Sequence, residues 1–203
     1  MIKRILRRLL PPQTPAERDA VRRRIMQENG NLKTGKNTWL DKCSISIHDA
    51  QPGFENIVIG EDCSIEGKIV LHSNKARLKI GNRTFIGSNA MIFCYDSIEI
   101  GDDVQFSWDC TIIDSNAHSL RSEERKNDVL DWKRGPQYKD WSVVRNKPVV
   151  IGNLCWIGFR SIIMKGVVLG DGCVVAAGSV VTKNFEPYSV IGGNPAAFIK
   201  TTT

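Results

Sequence analysis

Between Ile151 and Lys183 an aliphatic residue returns at every sixth position: Ile151, Ile157, Ile163, Leu169, Val175 and Val181. Glycine follows three of them, at Gly152, Gly158 and Gly170, and the fifth place of the hexad takes Cys155, Ser161, Val167, Cys173 and Ser179. A period of six matches neither the 3.6 of a helix nor the plain alternation of a flat strand. It matches a parallel β-solenoid with triangular coils, in which each side is one short strand and each aliphatic residue points into a core shared with the coils above and below. Glycine suits the corners of such a coil, where the backbone takes positive φ.

The same rhythm extends toward the N-terminus with interruptions. It shows at Ile59-Gly60, Ile65 and Leu71, slips around Ser73–Arg77, and resumes at Ile80-Gly81, Ile86-Gly87 and Ile92. After a two-residue slip it continues at Ile100-Gly101, Phe106 and Ile112. The first turns, with Trp39, Ile45 and Ile47, are irregular, and the solenoid is predicted to start near Thr38. From Asp114 to Pro148 the rhythm stops. That interval is polar and charged but carries Trp132, Tyr138 and Trp141, which argues against disorder; a long excursion in a repetitive fold usually serves function. The organisation predicted is an N-terminal helical arm or cap over 1–37, a solenoid over 38–184 with an excursion at 114–148, and a tail over 185–203, where Pro187 and Pro195 stop further strands.

Upstream, Thr14-Pro15-Ala16-Glu17 reads as an N-cap, a proline at the first helical position and a capping-box glutamate. A helix to about Gln27 follows, and its narrow apolar face of Ala20, Val21, Ile25 and Met26 suits a lid on the open coil end, whose unpaired strand edges need covering. Residues 1–10 put Ile2, Ile5, Leu6 and Leu9 on one helical face and Lys3, Arg4, Arg7 and Arg8 opposite, too short and too charged for a membrane span. One reading is peripheral contact with an anionic membrane surface; the plainer one is a terminal helix packed on its own oligomer or left unstructured.

The chain has 203 residues, enough for one solenoid and an appendage, and a net charge of +6. Residues 1–24 hold eight Lys/Arg against Glu17 and Asp19, and the remainder is balanced at 20 basic and 20 acidic residues. The basicity therefore belongs to the arm, and the repeats offer no basic face for nucleic acid. Four of the six cysteines (Cys63, Cys110, Cys155, Cys173) occupy the small slot of the hexad and no CxxC pair exists. They read as buried apolar groups of a protein in a reducing cytoplasm rather than as zinc ligands or disulfides.

IGNxxWIGxxxxIxxGVxxGDxxVVAAGSVVTK followed by GGNPA resembles the hexapeptide-repeat acyltransferases, in particular the galactoside/maltose and capsular-sugar O-acetyltransferase branch. The resemblance implies an all-β fold, a left-handed parallel β-helix, with acetyl-CoA as co-substrate, no metal and a homotrimer whose subunits form the donor groove between them. His118, in Asp114-Ser115-Asn116-Ala117-His118 where the excursion leaves the coil, matches the family's catalytic histidine. Imidazole suits removal of a proton from an attacking hydroxyl. Asn116 stands where the family has an acid, so Asp114 or a backbone carbonyl is left to orient the ring. Asn89 matches an asparagine of the acceptor site, against the plainer reading of a corner residue in left-handed conformation. Asp109, Trp108 and Tyr95 are candidates to line the acceptor pocket.

The donor contacts implied by the resemblance fall on Phe159, Ala177, Gly178, Thr182, Lys183 and Lys200, with the two lysines facing nucleotide phosphates and Phe159 departing from the small residue common there. The function implied is O-acetylation of a sugar hydroxyl in surface polysaccharide modification, by direct transfer, in the cytoplasm or peripherally at the inner membrane surface. N-acetylation of an amino sugar, O-acetylation of serine or another small molecule, and a non-catalytic scaffold stay open. A solenoid carbonic anhydrase needs three histidines on one zinc, and His48, His72 and His118 lack that spacing. A nucleotidyltransferase would need an upstream domain for which 1–37 has no room.

Overall fold

The computed structural model describes residues 14–202, so the arm at 1–10 and its membrane reading lie outside the described residues. The fold is a left-handed parallel β-helix with triangular coils. Its first face stacks Leu32–Thr34, Ile57–Ile59, Arg77–Ile80, Ser97–Ile100, Val149–Ile151 and Val168–Leu169. The second stacks Ser64–Ile65, Phe85–Ile86, Gln105–Phe106, Trp156–Ile157, Val174–Val175 and Ser189–Gly193. The third stacks Cys43–Ile47, Gly67–Leu71, Met91–Cys94, Thr111–Ile113, Ile162–Ile163 and Val180–Val181.

The hexad residues form one inward ladder per face. Ile59, Ile80, Ile100, Ile151 and Leu169 are in register on the first. Ile65, Ile86, Phe106, Ile157, Val175 and Ile191 pair on the second. Ile45, Ile69, Ile92, Ile112, Ile163 and Val181 pair on the third. All are fully buried, each stabilising the fold by roughly 1.5–3 kcal/mol through burial. The six cysteines are buried free thiols, and Cys63, Cys110, Cys155 and Cys173 fill the small slot of the hexad.

The glycine of the Ile-Gly pair has a different cause from the one the sequence suggested. Gly60, Gly81, Gly101 and Gly152 do not carry positive φ; at this corner it falls on Asp62, Arg83, Asp103 and Leu154. The glycines are there because the Asn or Asp side chain of the next coil reaches back into their space. Asp102 Oδ1 accepts from Asn82 N (2.7 Å), Asn153 Oδ1 from Asp102 N (2.9 Å) and Asp171 Oδ1 from Asn153 N (2.7 Å). A Cβ on Gly152 would stand 2.5 Å from Asp171 Oδ1. The ladder satisfies one corner N–H per coil.

Helix α1 (Pro15–Glu28) carries the capping box, with Glu17 N donating to Thr14 Oγ1 and Thr14 N to Glu17 Oε2, both at 3.1 Å. Only Met26 enters the core, and Val21 and Ile25 stay exposed. Polar contacts seat the helix on the first coil: Arg23 donates to Cys43 O at 2.5 Å and Ser44 Oγ to Asp19 at 3.3 Å. The coil begins six residues before the expected Thr38, because Leu32–Thr34 already pairs with Ile57–Ile59; one leucine after Asn29-Gly30 shows no period. The tail is likewise not a departure from the solenoid. Ser189–Gly193 continues the second face beside Val174–Val175, and Ala196–Thr201 turns back antiparallel on it. Pro187 precedes the first of these strands and Pro195 lies in the turn, so neither removes a ladder N–H.

The excursion is ordered. It leaves after Ile113, forms the short helices α2 (Ser122–Arg125) and α3 (Asp128–Arg134) and a 3₁₀ turn at Pro136–Tyr138, and rejoins at Val149. Its two ends are tied by Asn116 N to Arg145 O (2.9 Å) and Lys147 N to Asp114 O (2.8 Å).

Candidate active site

His118 stands at the foot of the excursion, on the edge between the third and first faces. Ala117 precedes it in left-handed conformation (φ 60°), and His118 N donates back to Asn116 O at 2.6 Å. This tight turn points the ring toward α3. There His118 Nδ1 meets Asp128 Oδ2 in a very short contact. The same oxygen accepts from Lys139 Nζ at 2.5 Å, and Nζ lies 3.2 Å from Nδ1. The side chains of His118, Asp128 and Lys139 are 52%, 12% and 1% exposed, respectively. Burial pushes the Asp128 carboxyl up, but hydrogen bonds from Lys139 and His118 outweigh it and hold the group below its ordinary value. A carboxylate on Nδ1 fixes the tautomer and leaves Nε2 as the free, basic nitrogen.

Asp114, expected to orient the ring, is used elsewhere. It is fully buried and accepts Tyr95 N (2.8 Å) and Asp96 N (2.7 Å), holding the corner below. Burial raises its pKa, partly countered by those two hydrogen bonds. The orienting group is Asp128, ten residues past His118 in a segment where Glu123, Glu124 and Asp131 are equally plausible on sequence; only the fold of α3 selects it. Lys139 was not visible as a site residue either.

The other candidates divide between two edges. Tyr95 shares the His118 edge, stacked on Trp141 at 4.9 Å between centroids. Thr182 and Lys183 follow the third-face strand two coils further on, roughly 10 Å along the same edge at about 4.8 Å per coil, and Lys183 Nζ lies 5.6 Å over the Phe185 ring. Asn89, Trp108, Asp109, Phe159, Ala177 and Gly178 line the edge between the second and third faces. Asn89 and Asp109 both have φ 60°, Trp108 stacks on Phe159 at 5.3 Å and 5°, Asp109 lies 3.8 Å from Arg160, and Gly178 N donates to Phe159 O at 2.8 Å. Asn89 and Asp109 also border an open cavity of about 620 Å³ with Lys42, Glu66 and Ser88. The strand Met91–Cys94, about 13 Å long at 3.3 Å per residue, lies between Asn89 and Tyr95. Lys200 lies exposed on the C-terminal hairpin. One chain therefore does not bring Asn89 to His118.

The family model for the hexapeptide repeat of succinyl-transferase matches residues 77–105 and 148–183, the stretches that build coils three to six. Those two stretches carry the hexapeptide repeat. The chain is 31% identical over 142 residues to a galactoside O-acetyltransferase of Escherichia coli, covering 70% of this chain and 62% of that one. It is 26% identical over 182 residues to a chloramphenicol acetyltransferase of Morganella morganii, covering 85% and 69%. It spans 52% of a Mycobacterium tuberculosis protein named as a probable acetyltransferase, at 29% identity over 172 residues and 85% of this chain. Among solved structures it resembles AntD, an N-acyltransferase from Bacillus cereus in complex with dTDP and coenzyme A, with a TM-score of 0.66, 24% identity and 89% of both chains covered. Among the described residues no group of three His, Cys, Asp or Glu is placed to hold a metal, and no helix is long and apolar enough to cross a membrane.

Proposed function

We propose that the protein is an acetyl-CoA-dependent O-acetyltransferase acting on a sugar hydroxyl, in the modification of a surface polysaccharide. The observation that carries this is His118: an imidazole at the foot of the excursion, one nitrogen engaged by a buried carboxylate and the other open. His118 Nε2 takes the hydroxyl proton as the oxygen attacks the thioester carbonyl. The C–O bond forms, the C–S bond breaks, and the departing thiolate takes the proton back from the imidazolium. A positioned base of this kind contributes about 10²–10⁴-fold. The relatives named for acetyl transfer to a galactoside and to chloramphenicol support the reaction class. The second reading is N-acetylation of an amino sugar.

The division of candidate residues between two edges supports a homotrimer, in which the Asn89 edge of one copy meets the His118 edge of the next. Phe159, Ala177, Gly178, Thr182, Lys183 and Lys200 are assigned to the donor and Asn89, Trp108, Asp109 and Tyr95 to the acceptor on the same reading, in a cytoplasmic enzyme. Thiol release from acetyl-CoA, screened against hexopyranosides, amino sugars and serine with mass in solution measured alongside, tests it. A hexopyranoside as the best acceptor for a trimer supports the proposal; release only with amines favours the second reading, and none with any acceptor contradicts both.

A further inference from the structure

On the N-terminal side of His118 the excursion covers two histidines with no role in the proposed reaction, next to Tyr95. His48, His72 and Tyr95 each directly follow a third-face strand, so three successive coils carry one each along a single edge. The excursion closes over them with Trp132 and Trp141. Trp141 stacks on His72 at 4.7 Å and on Tyr95 at 4.9 Å, and Trp132 stands edge-on to His48 and His72 at 6.1 and 6.2 Å. A cavity of about 150 Å³ opens here, lined in part by His48, Asp49, His72, Tyr95, Gln137 and Trp141. It adjoins the candidate base through one residue, because Lys139 Nζ is 5.3 Å from the Trp141 centroid and 3.2 Å from His118 Nδ1.

Three ring nitrogens in this cluster, His48 Nδ1, His72 Nδ1 and Trp141 Nε1, are buried with no hydrogen-bond partner. Each such group costs about 1–3 kcal/mol, and three together in a site built only for packing would be unusual. Burial, with His48 and Lys139 adding to it, lowers the His72 pKa to about 4, and burial lowers that of His48 against the opposing pull of Asp49. Both rings are therefore neutral at pH 7, each offering one donor and one acceptor. The cation at the cluster's edge, Lys139, is engaged by Asp128. A wall of aromatic faces and uncharged ring nitrogens, with the Asp49 carboxylate beside them, suits a ligand with apolar ring faces and hydroxyl groups, and disfavours a carboxylate.

We propose that this cavity seats a neutral, hydroxyl-bearing ring of the acceptor, a pyranose unit, beside His118. The placement of the ring as part of an acceptor rests on the acetyl-transfer reading; its binding does not. Saturation-transfer NMR on the full chain tests it, with methyl β-galactopyranoside as probe against N-acetylneuraminic acid. The neutral glycoside should receive signal and the carboxylate sugar should not. Its affinity should fall about tenfold in Trp141→Ala and His72→Phe. Should Trp141→Ala loosen the excursion, His72→Phe carries the test, because it keeps an aromatic ring for Trp141 to stack on and removes the nitrogens. Equal affinity in His72→Phe and wild type, or no binding of the neutral glycoside, overturns the proposal. Glycoside binding with the predicted losses, but no thiol release from acetyl-CoA, would sink the acetyl-transfer reading and leave the pocket standing.

Discussion

Asp128 Oδ2 faces two partners at once, His118 Nδ1 and Lys139 Nζ. With an ammonium on the same oxygen, the carboxylate aligns the ring while part of its charge is spent on Lys139. Asp128→Asn is expected to lower kcat about ten- to a hundredfold through loss of this charge-assisted bond, with KM for acetyl-CoA unchanged. Steady-state kinetics in both substrates checks it, and an unchanged kcat would leave Asp128 as a structural residue.

Lys139 is buried and depends on Asp128. Asp128→Ala leaves an unpaired ammonium in the interior and should cost about 3–5 kcal/mol, whereas Asp128→Ala with Lys139→Met should recover most of that loss. Urea unfolding of the two variants measures the difference.

Acid should release the excursion. Folded His72 titrates at about 4 against an ordinary value of 6.5, so between those two values the unfolded chain binds a proton that the folded one refuses. Stability contributed by this site is therefore full above 6.5 and falls as pH drops from 6.5 toward 4. Asp128, held low, acts in the same direction in a lower window, below its ordinary 3.8. Tryptophan fluorescence of the Trp132–Trp141 cluster should report loosening below pH 6.5, and His72→Phe should remove the upper part of the transition.

Gly152→Ala should destabilise the solenoid although Gly152 has an ordinary φ, since the new methyl meets Asp171 Oδ1 and N at 2.5 and 2.7 Å. Ala117→Gly at φ 60° should do the reverse and stabilise by up to about 1 kcal/mol, by removing left-handed strain from a residue with a Cβ. Thermal melts of the two variants moving in opposite directions would bear this out; a drop in both would show that the freer backbone of Ala117→Gly loosens the turn.

The solenoid was legible because its hexad is written by burial itself: Ile157 or Leu169 at the sixth place can only be an inward ladder. What the period does not record is local compensation. Leu32–Thr34 is a strand with a single inward leucine, and Ser189–Gly193 is one between two prolines that fall just outside it. The place of His118 at the exit of the coil was legible from where the hexad stops. Its partner was not, since Asp128 is brought back by a helix whose surroundings hold three other acids. His48 and His72 looked isolated in sequence, 24 residues apart, yet each is the first residue after a third-face strand. Once coil registers are assigned, that shared position places them together.

The account turns on His118 as the base. The decisive measurement is single-turnover acetyl transfer from acetyl-CoA to a hexopyranoside by wild type and His118→Ala, with acetyl-CoA binding measured on both. The account predicts a loss of about 10²–10⁴-fold in the transfer rate with acetyl-CoA affinity unchanged. A His118→Ala rate within a few-fold of wild type would contradict it.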